Sequence, residues 1–176
     1  MLITDLRYPI GDYVAKEYSD TLKEEWLADI KFLPILLEQA VANLDTFQLE
    51  TPYRDGGWTV QQLVHHVADS HMNAYCRFKL GYTEVAPIIR PYEEKEWATT
   101  PEIAHVPINM SITLLHSLHA RWHEFLTRLT MTDWQRTVYH PGHQKEFSLW
   151  HLLGMYAWHG KHHTAHISGL RERMGW

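Results

Sequence analysis

Four stretches of this 176-residue chain repeat their apolar residues at steps of three and four positions, which is the spacing of one face of an amphipathic helix. Two of them open with a capping box, Thr21 with Glu24 and Thr59 with Gln62. Four such stripes predict an all-α four-helix bundle, in which sites are built from side chains on facing helices. The predicted helices run from Thr21 to about Leu44, from Thr59 to about Leu80, from about Ser111 to Leu129, and from Ser148 to about Met174.

The connections between these helices are unequal in length. The longest, Gly81–Pro107, holds four of the eight prolines, so it fits no long helix, although one short helix at Glu93-Glu94 is compatible with it. A connection of this length commonly crosses the fold or covers a site. A short capped turn is predicted at Thr132–Gln135, and a small hairpin at Thr137–Phe147 before the last helix. No linker is long enough to divide the chain, so residues 1–176 are predicted to form a single domain.

Composition excludes several classes of function. With 16 Lys and Arg against 21 Asp and Glu, the net charge of −5 argues against nucleic acid as a partner, because phosphate binding needs a basic face. No apolar run approaches the roughly 18 residues of a membrane helix. Met1–Tyr13 has acidic residues and Gly11 where a secretion signal would be apolar. Cys76 is the only cysteine, which excludes an internal disulfide, and the sequence predicts a cytoplasmic protein.

Histidine is the unusual residue of this chain, with 14 copies. Two histidines at positions i and i+4 lie one above the other on a helix and can bind one metal ion. Three pairs have this spacing: His119/His123, His159/His163 and His162/His166. Spacing alone does not select among them, because a histidine-rich chain contains coincidental pairs whose members are ordinary surface residues.

The position of each histidine around its helix separates the pairs, since each residue advances by about 100°. On the third helix, His116 and His123 lie nearly opposite the apolar arc and are predicted to be solvated, with His119 at the edge of the arc. His162 lies at the margin of the inward face of the last helix. Three histidines lie within that face: His159, His163 and His166. Buried imidazoles need partners, and we favour a metal ion over core histidines paired with side chains or water.

A third ligand has to come from another helix. On the second helix His66 shares the apolar face and is favoured, His71 is the alternative, and His65 points elsewhere. Asp69 lies close to the same face. Its carboxylate is a candidate to orient the second nitrogen of a ligand, to accept a proton from a metal-bound water, or to make only a solvated ion pair.

Longer motifs cover nearly the whole chain: Tyr8–Gly11, Thr51–Trp58, His65–His71, Arg90–Glu93, Trp158–His163 and Arg173–Trp176. These motifs resemble the DinB/YfiT family, most closely its YfiT branch of metal-dependent hydrolases. The resemblance implies a four-helix bundle that binds one divalent ion per subunit, zinc or nickel, in a cytoplasmic homodimer. It also implies that the ligands are His66, His159 and His163, and that His166 lies behind them or contacts a water.

A three-histidine site leaves a divalent ion its full charge and an open position for a water, whose pKa is lowered towards 7. The sequence therefore predicts a hydrolase acting on a small-molecule amide, ester or similar electrophile. The same site can deprotonate a coordinated thiol, and some relatives in the wider superfamily transfer low-molecular-weight thiols such as bacillithiol. A metal-dependent thiol S-transferase is therefore one alternative, and a bundle that binds metal without catalysis is the other.

Residues lining the pocket would distinguish these hypotheses. Besides Asp69, the candidates are Arg90, Tyr92, Trp97 and Tyr156, each of which also has an ordinary explanation in packing or in a surface ion pair. Cys76 is not expected to be a nucleophile, because it lies nearly three helical turns beyond His66 and on a different face.

Overall fold

The computed structural model describes residues 5–176, so the first four residues of Met1–Tyr13 lie outside the described part of the chain. Within that part, no helix is both long and apolar enough to span a membrane. The elements in chain order are α1 (Asp20–Val41), α2 (Thr46–Leu49), α3 (Val60–Thr83), α4 (Glu94–Trp97), a 3₁₀ turn (Pro101–Ala104), α5 (Ile108–Leu126), α6 (Met131–Trp134), β1 (Thr137–His140), β2 (Lys145–Ser148) and α7 (Leu149–Met174).

Helices α1, α3, α5 and α7 form the four-helix bundle that the sequence predicts. Helix α1 packs against α5 and α7, and α3 packs against the same two helices. Strands β1 and β2 pair antiparallel, with Val138 opposite Phe147, and this hairpin is the only sheet between residues 5 and 176. The predicted hairpin and the predicted short helix in the long connection are therefore confirmed.

The helix ends test the capping predictions one by one. The Thr59–Gln62 capping box at the start of α3 is confirmed, as is the cap of α7 by Ser148. Gly175 ends α7 with a φ of 71°, a left-handed conformation that favours glycine. The predicted cap at Thr21 is wrong. The cap is Ser19, two residues earlier, whose hydroxyl oxygen accepts a hydrogen bond of 3.2 Å from the backbone amide of Leu22.

Four further boundaries also differ from the prediction, the first being the end of α1, which lies at Val41 rather than near Leu44. Helix α3 continues to Thr83 rather than ending near Leu80, and α5 both begins and ends three residues before its predicted range. Helix α5 begins directly after Pro107, whose fixed φ suits the entry to a helix. The short capped turn is α6, whose capping box is Thr130 with Asp133 rather than Thr132 with Gln135.

The long connection is attached to the hairpin. The amide of Ile89 donates to the carbonyl of Tyr139 at 3.0 Å, and the amide of Tyr139 donates to the carbonyl of Pro87 at 2.9 Å. Residues of the connection and of the hairpin therefore lie on the same side of the bundle, beside α3 and α7.

The buried apolar residues form two clusters, and histidines separate them along the helices. On α3, Val67 belongs to one cluster and Ala74 to the other, with His71 between them in sequence. On α5, His119 falls in the same way between Leu115 and Trp122. The bundle thus carries a layer of imidazoles across its interior, between two apolar regions.

Candidate metal centre

Three histidines from two helices converge in this layer. His159 and His163 stand one turn apart on α7, and His66 faces them from α3. One ligand nitrogen from each residue can be chosen such that all three lie within 4.8 Å of one another. The structure therefore brings together the three residues that the family resemblance implies as ligands.

The spacing and the chemistry of these nitrogens fit a divalent ion. The Nε2 atoms of His66 and His159 are 3.3 Å apart. Two nitrogens bound to one tetrahedral zinc at about 2.0–2.1 Å would be about 3.3–3.4 Å apart. Three imidazoles are also a donor set that suits zinc, nickel and similar ions.

Burial keeps the cluster neutral. It lowers the pKa of His66 to about 4, and it lowers the pKa of both His159 and His163 well below the ordinary value. The neighbouring imidazoles of the cluster lower the pKa of His159 and His163 further, because a second positive charge nearby would repel the first. Neutral imidazoles are the form in which histidine binds a metal.

His71, the alternative ligand, lies behind His159 rather than beside it. Its Nε2 is 3.1 Å from Nδ1 of His159, and its Nδ1 is 3.0 Å from Nε2 of His119. His119, expected at the edge of its helix face, is fully buried, with its Nδ1 2.5 Å from the carbonyl oxygen of Ile30. Both histidines therefore occupy the interior of the bundle behind the three-histidine cluster.

A second close group, His162, His163 and His166, shares His163 with the first. Nδ1 of His166 is 3.4 Å from Nδ1 of His163, and its Nε2 is 3.2 Å from the carbonyl oxygen of Arg7. His162 stacks on Trp158, with ring centroids 4.4 Å apart. His166 thus lies behind the candidate ligand His163, where the family resemblance puts it.

The remaining histidines on α3 and α5 serve other contacts. His65 is bonded to the hydroxyl of Ser111 and the carbonyl of Val106, so it points away from the cluster as predicted. His116 is exposed beside Glu38, also as predicted, whereas His123 is only half-exposed.

Asp69 is half-buried, and burial together with the nearby Glu102 raises its pKa to about 6. Its carboxylate forms no hydrogen bond or ion pair within residues 5–176, and His71 rather than Asp69 contacts the second nitrogen of His159. The role of Asp69 as a proton acceptor stays a prediction.

A cavity of about 140 Å³ opens beside His159. Its wall includes Ser70 and Arg77 of α3, Glu94 of α4, His140 of the hairpin and Tyr156 of α7. Larger cavities exist, of about 320 Å³ beside the start of α3 and of about 390 Å³ beside His166, but none of the three candidate ligands lines either of them. Proximity to the imidazole cluster, rather than volume, makes the smaller cavity the candidate substrate pocket.

The pocket contains polar groups that the sequence did not single out. Arg77 donates to the hydroxyl of Tyr156 at 2.8 Å and to the carbonyl of Arg90 at 3.2 Å. Its position follows His66 by eleven residues, which is close to three full turns, so the helical period could have found it. Glu94 is exposed to solvent, although partial desolvation of its carboxyl group raises its pKa.

The predicted pocket candidates take different places. Tyr156 lines the cavity, and Arg90 contributes its carbonyl rather than its charge. Tyr92 and Trp97 pack on each other with ring centroids 4.7 Å apart. Cys76 is exposed, in agreement with the expectation that it takes no part in the site.

The chain is similar to several known proteins over nearly its whole length. Residues 17–167 match the DinB superfamily. A protein of Bacillus mycoides is 50% identical over 176 residues, covering 98% of this chain and 99% of its own, and one of Bacillus anthracis is 48% identical over 175 residues, covering 99% and 100%. Both carry the name "Putative metal-dependent hydrolase". A solved structure, YfiT from Bacillus subtilis, is described as "a probable metal-dependent hydrolase with an unusual four-helix bundle topology". It is 47% identical, with a TM-score of 0.95, covering 97% of this chain and 98% of its own.

Proposed function

This chain belongs to the DinB superfamily, and from that premise we propose that it is a metal-dependent hydrolase whose single divalent ion is bound by His66, His159 and His163. The convergence of three neutral imidazoles from two helices, with ligand nitrogens within 4.8 Å, is the observation that carries the proposal. The names of the relatives agree with it.

A divalent ion held by three neutral donors supplies a Lewis acid that polarises a carbonyl and lowers the pKa of a water. The protein residues supply orientation and access. His66 and His163 are buried, whereas His159 keeps a small exposed part at the wall of the pocket. A substrate therefore reaches the site from the His159 side, where Arg77 provides a positive charge for an anionic group on it.

Two carboxyl groups are candidates to take up the proton released during hydrolysis. Glu94 lines the same cavity as His159, and Asp69 has a pKa of about 6, so that it is mostly ionised at neutral pH. A general base works best when its pKa lies near the working pH. Comparing Glu94→Gln with Asp69→Asn identifies which carboxylate accepts the proton. The substitution that removes this carboxylate lowers kcat, while the variant retains its bound metal.

The test is a hydrolysis assay on protein of measured metal content. We expect the zinc- or nickel-loaded protein to cleave members of a panel of small esters and amides, to lose this activity with a chelator, and to regain it when metal is restored. His163→Ala should lose both metal and activity, and His116→Ala, a change at an exposed histidine, should lose neither.

The outcomes separate the alternatives. Full metal occupancy in His163→Ala contradicts the ligand assignment. Turnover that appears only when a small thiol and an electrophile are both present identifies an S-transferase instead. A protein with full metal occupancy that acts on no ester, no amide and no pair of thiol and electrophile is a bundle that binds metal without catalysis. The family's homodimer stays a prediction, which light scattering of the purified protein tests.

A further inference from the structure

We propose that the histidines behind the cluster are positioning residues, which fix the proton of both α7 ligands on Nδ1 and so direct each Nε2 lone pair at the ion. Each set of hydrogen bonds ends at a backbone carbonyl, that of Ile30 behind His159 and that of Arg7 behind His163. The inference rests on the metal site proposed above, but it concerns hydrogen positions that exist before any metal binds.

The first set starts at the carbonyl of Ile30, which can only accept a hydrogen bond. Nδ1 of His119, at 2.5 Å, must therefore carry a proton. A neutral imidazole has one N–H, so Nε2 of His119 accepts. Its partner at 3.0 Å is Nδ1 of His71, which consequently donates.

His71 in turn determines the proton position of the candidate ligand His159. Because His71 carries its proton on Nδ1, its Nε2 accepts a hydrogen bond from Nδ1 of His159 at 3.1 Å. The free lone pair of His159 is then on Nε2, the atom that faces Nε2 of His66 at 3.3 Å. One carbonyl thus determines the tautomers of three successive histidines.

These histidines are neutral. His71 and His119 are 0% and 1% exposed, and no carboxylate is among their hydrogen-bond partners in residues 5–176. The rings of Trp122 and Tyr156 pack edge-on against His71. Charging an imidazole in such an apolar environment is unfavourable, so the neutral form is the one present.

The second set is shorter and its hydrogen bonds are longer. Nε2 of His166 donates to the carbonyl of Arg7 at 3.2 Å, so Nδ1 of His166 accepts from Nδ1 of His163 at 3.4 Å. The lone pair of His163 is again on Nε2. The closeness of His163 and His166 is thereby explained by a hydrogen bond and needs no second ion.

His66 differs from the other two candidate ligands. Its Nε2 faces the lone pair of His159, so in the metal-free protein His66 donates across the 3.3 Å between them. Metal binding then requires the proton of His66 to move to Nδ1. Two ligands are preset, and only one has to change its tautomer.

The direct test is the nitrogen-15 NMR spectrum of the metal-free wild-type protein, with histidine tautomers read from long-range proton–nitrogen correlations. A neutral histidine in water favours the Nε2–H form, so the expected result is the opposite of the default. We expect Nδ1–H at His71, His119, His159 and His163, and Nε2–H at His166. Addition of zinc should change the tautomer of His66 alone. A proton on Nε2 of His71 or His159 overturns the proposal.

A matched pair of variants tests the consequence for affinity. His119→Leu removes the acceptor of His71 without touching a ligand, and we expect it to weaken zinc binding roughly tenfold or more in a chelator competition. Trp122→Phe disturbs the packing of the same two rings but leaves every hydrogen bond of the set, so its zinc affinity should stay near that of the wild type. His119→Gln keeps an acceptor for His71 and should restore part of the loss.

Equal zinc affinity in folded His119→Leu and Trp122→Phe overturns the proposal. If His119→Leu does not fold, the wild-type tautomers decide. A wild-type protein that binds no zinc contradicts the proposed metal site, whereas failure to hydrolyse any substrate leaves the tautomers and the affinities unaffected. The two proposals therefore fail in distinguishable ways.

Discussion

The imidazole of His159 borders two different environments, the buried histidines behind it and the cavity whose wall it helps to form. Behind the ring, His71 and His119 are fully buried, and each of their nitrogens has a partner. In front of it, the cavity of about 140 Å³ is lined by a guanidinium and a carboxyl group. Two buried polar atoms near this side, the hydroxyl of Tyr92 and Nδ1 of His140, have no hydrogen-bond partner within residues 5–176.

The difference indicates that the residues that orient the metal ligands are separate from the residues that can bind a substrate. An unpartnered buried polar group costs roughly 1–3 kcal/mol, so such groups are retained where a ligand can satisfy them. On the back side, each nitrogen of His71 and His119 has a partner, so these two rings can only orient the ligand. On the front side, the hydroxyl of Tyr92 and Nδ1 of His140 have no partner and are available to bind a substrate.

The largest expected effect comes from removing the residue that both sides share. His159→Ala should weaken metal binding by more than about 100-fold, because it leaves two ligands and opens the cluster to water. His143→Ala removes an imidazole from the cavity wall outside the cluster and should leave the affinity unchanged. Metal content after dialysis, together with titration calorimetry, measures both. Equal metal content in the two variants would contradict the separation of cluster and pocket.

The next effect tests the close packing of α7 against α1 beside the cluster. At Gly160, a Cβ would lie 2.7 Å from Cδ2 of the buried Leu33, so Gly160→Ala forces α7 away from α1. We expect it to lower the free energy of unfolding by about 1–3 kcal/mol in urea titrations.

Gly169→Ala is the matched control on the same helix, since the added methyl meets only the flexible end of Arg173 at 3.4 Å. Because alanine favours a helix, this variant should be neutral or more stable by up to about 1 kcal/mol. If both alanine variants have the same stability, the two helices are not in the close contact described.

A third prediction concerns the front side alone. Arg77→Met removes the positive charge of the pocket and its bond to Tyr156, so we expect a loss of about tenfold or more in kcat/KM for an anionic substrate. Metal affinity should not change, because Arg77 contacts no histidine of the cluster. The same substitution at Arg128, a surface residue paired with Glu124, should change neither quantity. Lost metal in Arg77→Met would show that the two sides are not independent.

The smallest effect is a dependence of stability on pH. Asp69 has a pKa of about 6 in the folded protein and about 3.9 when unfolded, so the folded state binds its proton more tightly. Its contribution to stability is therefore present at low pH and is lost as the pH rises from about 4 to 6.

We accordingly expect metal-free Asp69→Asn to exceed the wild type in stability at pH 7.5 by less than about 1 kcal/mol, since solvent screens the half-exposed side chain. At pH 3.5 the two proteins should be equally stable. Thermal unfolding at both pH values measures the difference, and a constant offset at the two would contradict this origin.

The helices and the inward faces could be predicted from the sequence because the 3.6-residue period is a local property. That period is enough to bring His66, His159 and His163 inward. Helix ends are less certain: both Ser19 and Thr21 are hydroxyl residues two positions apart, and only the observed bond to Leu22 selects Ser19.

The surroundings of the cluster depend on contacts between distant parts of the chain. His71 bonds His119, 48 residues away, and Arg77 bonds Tyr156, 79 residues away. Whether His71 binds metal or supports a ligand is decided by how α5 packs against α3, and no period in the sequence carries that information.

The hydrogen bond from Ile89 to Tyr139 joins two connecting segments beside the pocket, where changes in sequence can alter which substrate fits. The segments that connect the helices form part of the pocket wall, whereas the imidazoles of the cluster lie on the helices themselves. Insertions or exchanges in those connecting segments can alter what enters without disturbing the cluster.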